Sequence, residues 1–212
     1  MKSVCTFLRR EGLTRQEFQD YYENHHAPLG QSHFPFTRYV RNHVENMPDV
    51  PFETITEFWA DDLAELGRLL EGPIGRIMAE DEAKCMQRDR CQAATVDEFI
   101  LSEGASTNAT GLRDVALIRY GADRIEGEEA AHNWGASVGS EQTGVTLDRL
   151  HPLAGEQSFP ADALLWLPDF SQAPQPPATL DVTIVRVRRC ETPLSELLPY
   201  KSRERKPQDF RY

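Results

Sequence analysis

The sequence predicts an α+β protein built from two tandem ferredoxin-like repeats, and three observations predict it. Strand and helix signals in the first half run strand, helix, strand, strand, helix, strand, which is the split βαβ order. A reduced copy of that order follows in the second half, as an internal duplication would give. The length of 212 residues, with 40% hydrophobic and 27% charged positions, suits one large domain or two small ones with a real core. The predicted division is a first repeat over residues 1–104, a divergent second repeat over 112–198 and a basic C-terminal tail over 199–212.

Each element has its own local signal. Ser3 to Arg9 is a mixed apolar stretch suited to a strand covered on both sides. Thr14 stands three residues before Glu17, the spacing of a capping box, and Phe18, Tyr21, Tyr22 and His25 follow at helical spacing until Ala27-Pro28. Thr37 to Met47 alternates as a strand, with Tyr39, Arg41 and His43 on one face and Val40, Asn42 and Val44 on the other. A Pro48-Asp49 turn leads to a strand over Phe52 to Trp59. Asp61 or Asp62 caps a helix carrying Leu63, Leu66, Leu69 and Leu70, and helix resumes from Ile74 to Gln87 after Gly72-Pro73. A fourth strand falls within Gln92 to Leu101, and Ser102 to Gly111 has a linker's composition. The second repeat supplies strands over Asp114 to Tyr120, Val145 to Leu153, Ala161 to Leu167 and Leu180 to Arg188. Its helix spans Glu128 to Val138, and the Pro-rich Pro168 to Pro177 replaces most of a second one.

Charge narrows the function. The chain carries 23 Lys and Arg against 34 Asp and Glu, a net charge of -11, so no nucleic-acid partner is expected, because that affinity comes largely from Lys and Arg. The exception is the tail, with Lys201, Arg203, Arg205, Lys206 and Arg211 against Glu204 and Asp209. The longest apolar run is Ala163 to Leu167, far short of the roughly 20 residues of a membrane helix. The N-terminus lacks the apolar stretch of a secretory signal, so no membrane and a cytoplasmic location are the default. Cys5, Cys85, Cys91 and Cys190 contain no CxxC pair and are expected as thiols.

Residues able to do chemistry gather in the first half: Tyr21 to Leu29 at the end of the first helix, Tyr39 to Val44 on the second strand, and Glu57 to Asp62 at the end of the third. Imidazole titrates near neutral pH, so His26 or His43 can move a proton, with Glu57 or Asp61 to orient it. His25 also suits a helix C-terminus through the dipole alone. His25, His26, His33 and His43 show no HExxH spacing, and adjacent helical histidines diverge by about 100°. No metal is expected. GxGxxG, phosphate-loop and CxxCH signatures are missing too, so no cofactor is expected and side chains alone carry the chemistry.

The run Phe7 to Thr14, then Phe18-Gln19-Asp20-Tyr21-Tyr22, His26-Ala27-Pro28-Leu29, Tyr39-Val40-Arg41-Asn42-His43 and Glu57-Phe58-Trp59 with Asp61-Asp62 and Asp81-Glu82 resembles the EthD family over about residues 3 to 100. That family belongs to the dimeric α+β barrel superfamily. The resemblance implies that the two repeats pack sheet to sheet as an α+β barrel with one functional pocket, in the first half, and a degenerate one, with a homodimer possible. It departs where the family usually has Tyr-Trp and this chain has Tyr21-Tyr22, and the second repeat offers only His132, Trp134 and His151. The implied activity is a cofactor-independent lyase or isomerase acting on an aromatic or polyketide-like small molecule by decarboxylation, dehydration or cyclisation. A cofactor-free monooxygenase and a non-catalytic ligand-binding accessory protein are the alternatives. His26, His43 and Tyr39 are the expected catalytic residues. Arg41, Asn42, Glu57, Trp59 and Tyr22 are expected to bind substrate, Arg41 holding a carboxylate and Asn42 joining Tyr39 at a carbonyl or phenolate oxygen.

Overall fold

The computed structural model describes residues 1–45, 50–153 and 158–197. The predicted Pro48-Asp49 turn and the basic tail 199–212 lie outside the described residues. Eight strands close into an antiparallel barrel: β1 (Lys2–Phe7), β2 (Phe36–Val44), β3 (Thr54–Ala60), β4 (Gln92–Ile100), β5 (Leu112–Arg119), β6 (Thr146–Pro152), β7 (Ala163–Leu167) and β8 (Asp181–Glu191). The order β1-β3-β2-β8-β5-β7-β6-β4, closed by β4 on β1, is two four-stranded sheets of order 4-1-3-2. They join edge to edge through β2–β8 and β4–β6. One chain thus supplies every strand of the barrel, and a homodimer would have to use another surface.

Among the described residues, five α-helices lie outside the barrel: α1 (Arg15–Tyr21), α2 (Ala27–His33), α3 (Leu63–Glu71) and α4 (Pro73–Cys85) on the first half-sheet, and α5 (Arg124–Glu141) on the second. The capping box at α1 is complete, with Thr14 Oγ1 accepting from the Glu17 amide and the Glu17 carboxylate accepting from the Thr14 amide. Asp62 is the cap of α3, accepting from the amides of Ala64 and Glu65. The corner into α4 needs glycine, because a Cβ on Gly75 would meet the Leu70 carbonyl oxygen at 1.7 Å. Asp123 caps α5, which starts earlier than the predicted Glu128.

The first helix differs from expectation at Ala27-Pro28. It does not stop there. Residues Tyr22–His26 form a π turn in which the Ala27 amide donates to the Tyr22 carbonyl, and helix then continues through α2. Pro28 has no amide hydrogen to donate to the preceding turn, and it falls where the run has widened into the π turn. His25 and His26 therefore sit inside a continuous helical run and not at its C-terminal end.

Strand alternation divides the molecule into three apolar clusters. One fills the barrel lumen, with Val4, Ile55, Ala94, Val115, Leu150, Leu164, Val185 and Val187. A second lies between the first half-sheet and its helices, and a third between the second half-sheet and α5. The Pro-rich segment takes over the covering role of a missing helix: Trp134 of α5 donates to the Pro174 carbonyl at 2.9 Å and meets the Phe170 ring edge-on at 6.3 Å.

Towards one end of the lumen the packing turns ionic. Lys2 Nζ lies 2.6 Å from Asp148, 2.9 Å from Glu57 and 2.9 Å from Glu98. Arg113 pairs with Glu57, donates to Asn42 Oδ1 at 2.7 Å, and stacks on Trp166 at 3.9 Å. Burial opposes the Glu57 charge, but Arg113 and Lys2 outweigh it and hold the carboxyl far below its ordinary range. One ammonium shared by three carboxylates does less for Asp148, and burial pushes that group up to about 6. Removing one member of a buried pair leaves an uncompensated charge, so Arg113→Ala should lower the unfolding free energy by about 3–5 kcal/mol. Asp148→Asn, which keeps an acceptor for Lys2 and Trp166, should cost less. Urea unfolding of both variants checks this, and a loss below about 1 kcal/mol for Arg113→Ala would show the pair to be no stronger than a surface one.

Candidate active site

The helix-facing side of the first half-sheet is polar as well as aromatic, and the π turn supplies its centre. The turn directs Tyr22 and His26 to the same side, both buried, with ring centroids 4.8 Å apart. His26 Nδ1 lies 2.9 Å from Asp81 Oδ2, and the Tyr21 hydroxyl donates to Asp81 Oδ1 at 2.6 Å. Asp81 stands on α4, so the two helical layers meet through it. Burial opposes its charge, but the hydrogen bonds from Tyr21 and His26 keep the carboxyl below its ordinary pKa. Burial and the Asp81 carboxylate together push Tyr21 up to about 12.

The sheet beneath contributes Tyr39, Arg41 and His43 from β2. Tyr39 lies in an aromatic stack with Phe36 at 5.0 Å and Phe58 at 5.3 Å, and Arg41 lies over its ring at 4.7 Å. The Tyr22 hydroxyl shares a hydrogen bond with Thr56 Oγ1 at 3.0 Å. Burial raises Tyr39 to about 12 and Tyr22 well above its ordinary value, so both hydroxyls stay protonated near neutral pH. Arg41 grips the Glu23 carboxylate through Nε and Nη2, at 3.2 and 2.6 Å, and donates to Thr192 Oγ1 at 2.5 Å. His43 is wholly buried between Glu23, 2.6 Å from Nε2, and Thr54, 2.9 Å from Nδ1.

His26, His43, Tyr39, Arg41 and Tyr22 are thus brought together. Asn42, Glu57 and Trp59 are not. They point into the barrel lumen on the opposite side of the sheet, where Asn42 donates to Glu57 at 3.0 Å and Trp59 packs against Lys2 and Arg38, each 4.6 Å from its ring. The backbone lies between them and His26, so the expected pairing of Asn42 with Tyr39 on one substrate oxygen is corrected by strand alternation. Arg41 is engaged by Glu23, not left open for a carboxylate. The sequence does not mark Asp81 and Glu23 as site members, because their partners are 55 and 20 residues away. In the second half the matching space is apolar, and His132 and His151 lie against Phe99 and Asp97 instead.

A cavity of about 750 Å³ opens beside this site, between the β2 and β3 ends, α3 and the C-terminal turn at Leu194–Glu196. Pro35, Phe36, Leu69, Leu194 and Leu197 give it apolar walls, and Asp61, Asp62, Glu65 and Arg68 add charge. Phe36 is shared between this cavity and the aromatic stack over Tyr39. Among the described residues, Glu23, His43 and Cys190 form the group whose donor atoms converge closely enough to hold a metal ion.

Fold and site together define an α+β barrel with a polar, aromatic cleft under the helices of one half. Residues 10–89, within the first half of the chain, match the family model of the EthD domain. Among solved structures, a putative chlorite dismutase, 9% identical, aligns over 89% of this chain and 94% of its own with a TM-score of 0.51. That likeness, spanning both halves, is one of fold. An EthD-family protein of Bacillus halodurans, 18% identical, aligns over 44% of this chain and 95% of its own with a TM-score of 0.35. No curated protein matches the chain. No helix among the described residues is long and apolar enough to cross a membrane.

The Glu23 cluster makes acid stability testable. Burial alone would raise this carboxyl, but hydrogen bonds from His43 and Arg41 bring it down to about 2 from an ordinary 4.5. A folded pKa below the unfolded one contributes stability above about pH 4.5 that is lost as pH falls towards 2. At about 1.4 kcal/mol per unit this is on the order of 3 kcal/mol. The stability difference between wild type and Glu23→Gln should therefore be large at pH 7 and shrink by pH 3; a difference independent of pH would refute the assignment.

Proposed function

We propose that the first-half cleft is the active site of an enzyme that moves a proton on a hydrophobic aromatic or polyketide-like small molecule, as a cofactor-independent lyase or isomerase. The observation that carries this reading is the chain Tyr21–Asp81–His26. An anionic carboxylate on Nδ1 orients the imidazole and stabilises the imidazolium formed when Nε2 takes a proton. The substrate proton leaves a carbon next to a carbonyl, and the bonding electrons pass to the carbonyl oxygen as an enolate. Tyr22 and Tyr39 hold their hydroxyl protons and lie on the same face, so they suit donation to that oxygen. Return of the proton to a different carbon isomerises the molecule. Departure of a β-hydroxyl, with the proton handed to it by His26, dehydrates it instead. Arg41 and Glu23 neutralise one another and act through Tyr39 and His43 as positioning residues.

The apolar wall of the cavity suits the hydrophobic part of a substrate, and its volume is within the range of small-molecule sites, about 300–1,000 Å³. A ligand seated there lies against Phe36, whose ring stacks on Tyr39 at 5.0 Å. Phe36→Trp should therefore raise KM more than it lowers kcat. His26→Gln should lower the rate by about 10² to 10⁴ with substrate binding retained, and Asp81→Asn should lower it in the same direction. The measurement is mass spectrometry of aromatic and polyketide-like test compounds: loss of carbon dioxide or water, or an isobaric product, fits the reading. Oxygen uptake would replace it with a monooxygenase. Ligands that raise the melting temperature yet keep their mass would replace it with an accessory binding role.

A further inference from the structure

Glu23, His43 and Cys190 come from three separate segments, the π turn, β2 and β8, yet present one donor atom each within 4.8 Å of one another. Carboxylate oxygen, imidazole nitrogen and thiolate sulfur are the ligand types that zinc-like ions take, and three protein ligands with an open fourth position is a common arrangement. The surroundings also suit such an ion. Thr54 Oγ1 lies 2.9 Å from His43 Nδ1, a partner that can accept a hydrogen bond from Nδ1–H when Nε2 gives up its contact with Glu23 to an ion. Arg41 holds both Glu23 oxygens, more closely the one turned away from His43, with Nη2 2.6 Å from Oε2 and Nε 3.2 Å from Oε1, and Arg188 Nη1 lies 3.7 Å from the Cys190 sulfur, close enough to donate to a thiolate. Arg188 is itself balanced by Glu45 at 2.9 Å and held by Gln19 at 2.7 Å. His43 is fully buried while the Glu23 side chain keeps 24% of its exposure, which gives an ion a way in.

We propose that Glu23, His43 and Cys190 form a binding site for a divalent, zinc-type transition metal. Entry of the ion moves the His43 proton to Nδ1, displaces the Cys190 proton to solvent, and opens the 2.6 Å contact between His43 and Glu23 by about 0.8 Å to tetrahedral ligand spacing. Two positive charges enter and one proton leaves, so the cluster gains one positive charge beside Arg41 and Arg188. The fourth ligand is accordingly an anion, hydroxide from solvent or an anionic oxygen of a small molecule. Tyr22 packs on both histidine rings, 4.8 Å from His26 and 5.8 Å from His43, and the metal site does not rest on the proton-transfer reading.

Cobalt(II) added to the metal-free full-length protein tests this directly. The expected result is one equivalent per chain, with a thiolate-to-cobalt charge-transfer band in the near ultraviolet and visible bands of tetrahedral cobalt, all removed by zinc. Cys190→Ser should abolish the charge-transfer band, and Glu23→Gln should weaken binding by at least about 100-fold, more than loss of an outer partner costs. His26→Gln should leave the spectrum unchanged, which separates this site from the proposed catalytic one. Absence of the band in folded wild type, or its survival in Cys190→Ser, overturns the proposal.

Discussion

The barrel depends on the ion cluster in its lumen, because that cluster is where the two halves recognise each other. Lys2, Asn42, Glu57 and Glu98 belong to the first half; Arg113, Asp148 and Trp166 belong to the second. The shortest contacts cross between halves, Lys2 to Asp148 and Arg113 to Glu57 and Asn42. Apolar lumen residues such as Val4, Val115 and Leu150 supply most of the area removed from water, and a strand slipped by one residue would carry them to the opposite face of the sheet. The charged pairs add partner choice, because the same slip would separate Lys2 from Asp148 and Arg113 from Glu57. Buried ion pairs add little net stability over apolar packing, so their weight here falls on which edges meet and in what register.

The same alternation that fills the lumen builds the site. On β2, Asn42 and Val44 face inward while Tyr39, Arg41 and His43 face the helices. The polar outward stripe must then be satisfied by what covers it, and the π turn does this by presenting Tyr22, Glu23 and His26 over the strand. A π turn widens the helix and weakens its backbone hydrogen bonding, and such turns occur frequently at functional sites. In the second half the equivalent outward positions, Ala116, Ile118 and Leu165, are apolar and α5 is regular over them. The asymmetry of the protein is therefore an asymmetry of outward-facing residues on otherwise matching sheets.

Much of this was legible along the chain. Element order, the Thr14–Glu17 capping box, the β2 alternation and the concentration of His and Tyr in one half all depend on neighbours in sequence. What was not legible depends on distance. Asp81 is an ordinary helical acid until His26 and Tyr21 arrive 55 and 60 residues away, and Cys190 has no local feature to join it to His43. Trp59 and Glu57 stand near the end of β3 close to the site in sequence, but the phase they share with Ile55 puts them in the lumen. The lumen charges had a readable trace of the same kind: Lys2 is in phase with Val4, Arg113 with Val115 and Asp148 with Leu150, charged side chains at apolar inward positions.

The two ionic clusters are also coupled through one strand pair. β2 and β3 carry Asn42 and Glu57 on their lumen side, and His43, Thr54 and Thr56 on their helix side, with Asn42 opposite Ile55 and His43 opposite Thr54. The register that the lumen cluster enforces is therefore the register that sets Thr54 against His43 Nδ1 and Thr56 against the Tyr22 hydroxyl. Because a sheet is stiff along its ladder and side chains pack at crystal-like density, an error of pairing inside the barrel would be read outside it as a displaced tyrosine and a mistaken imidazole tautomer. The second half, whose own cleft is apolar, thus contributes to the site by holding the first half's strands in register.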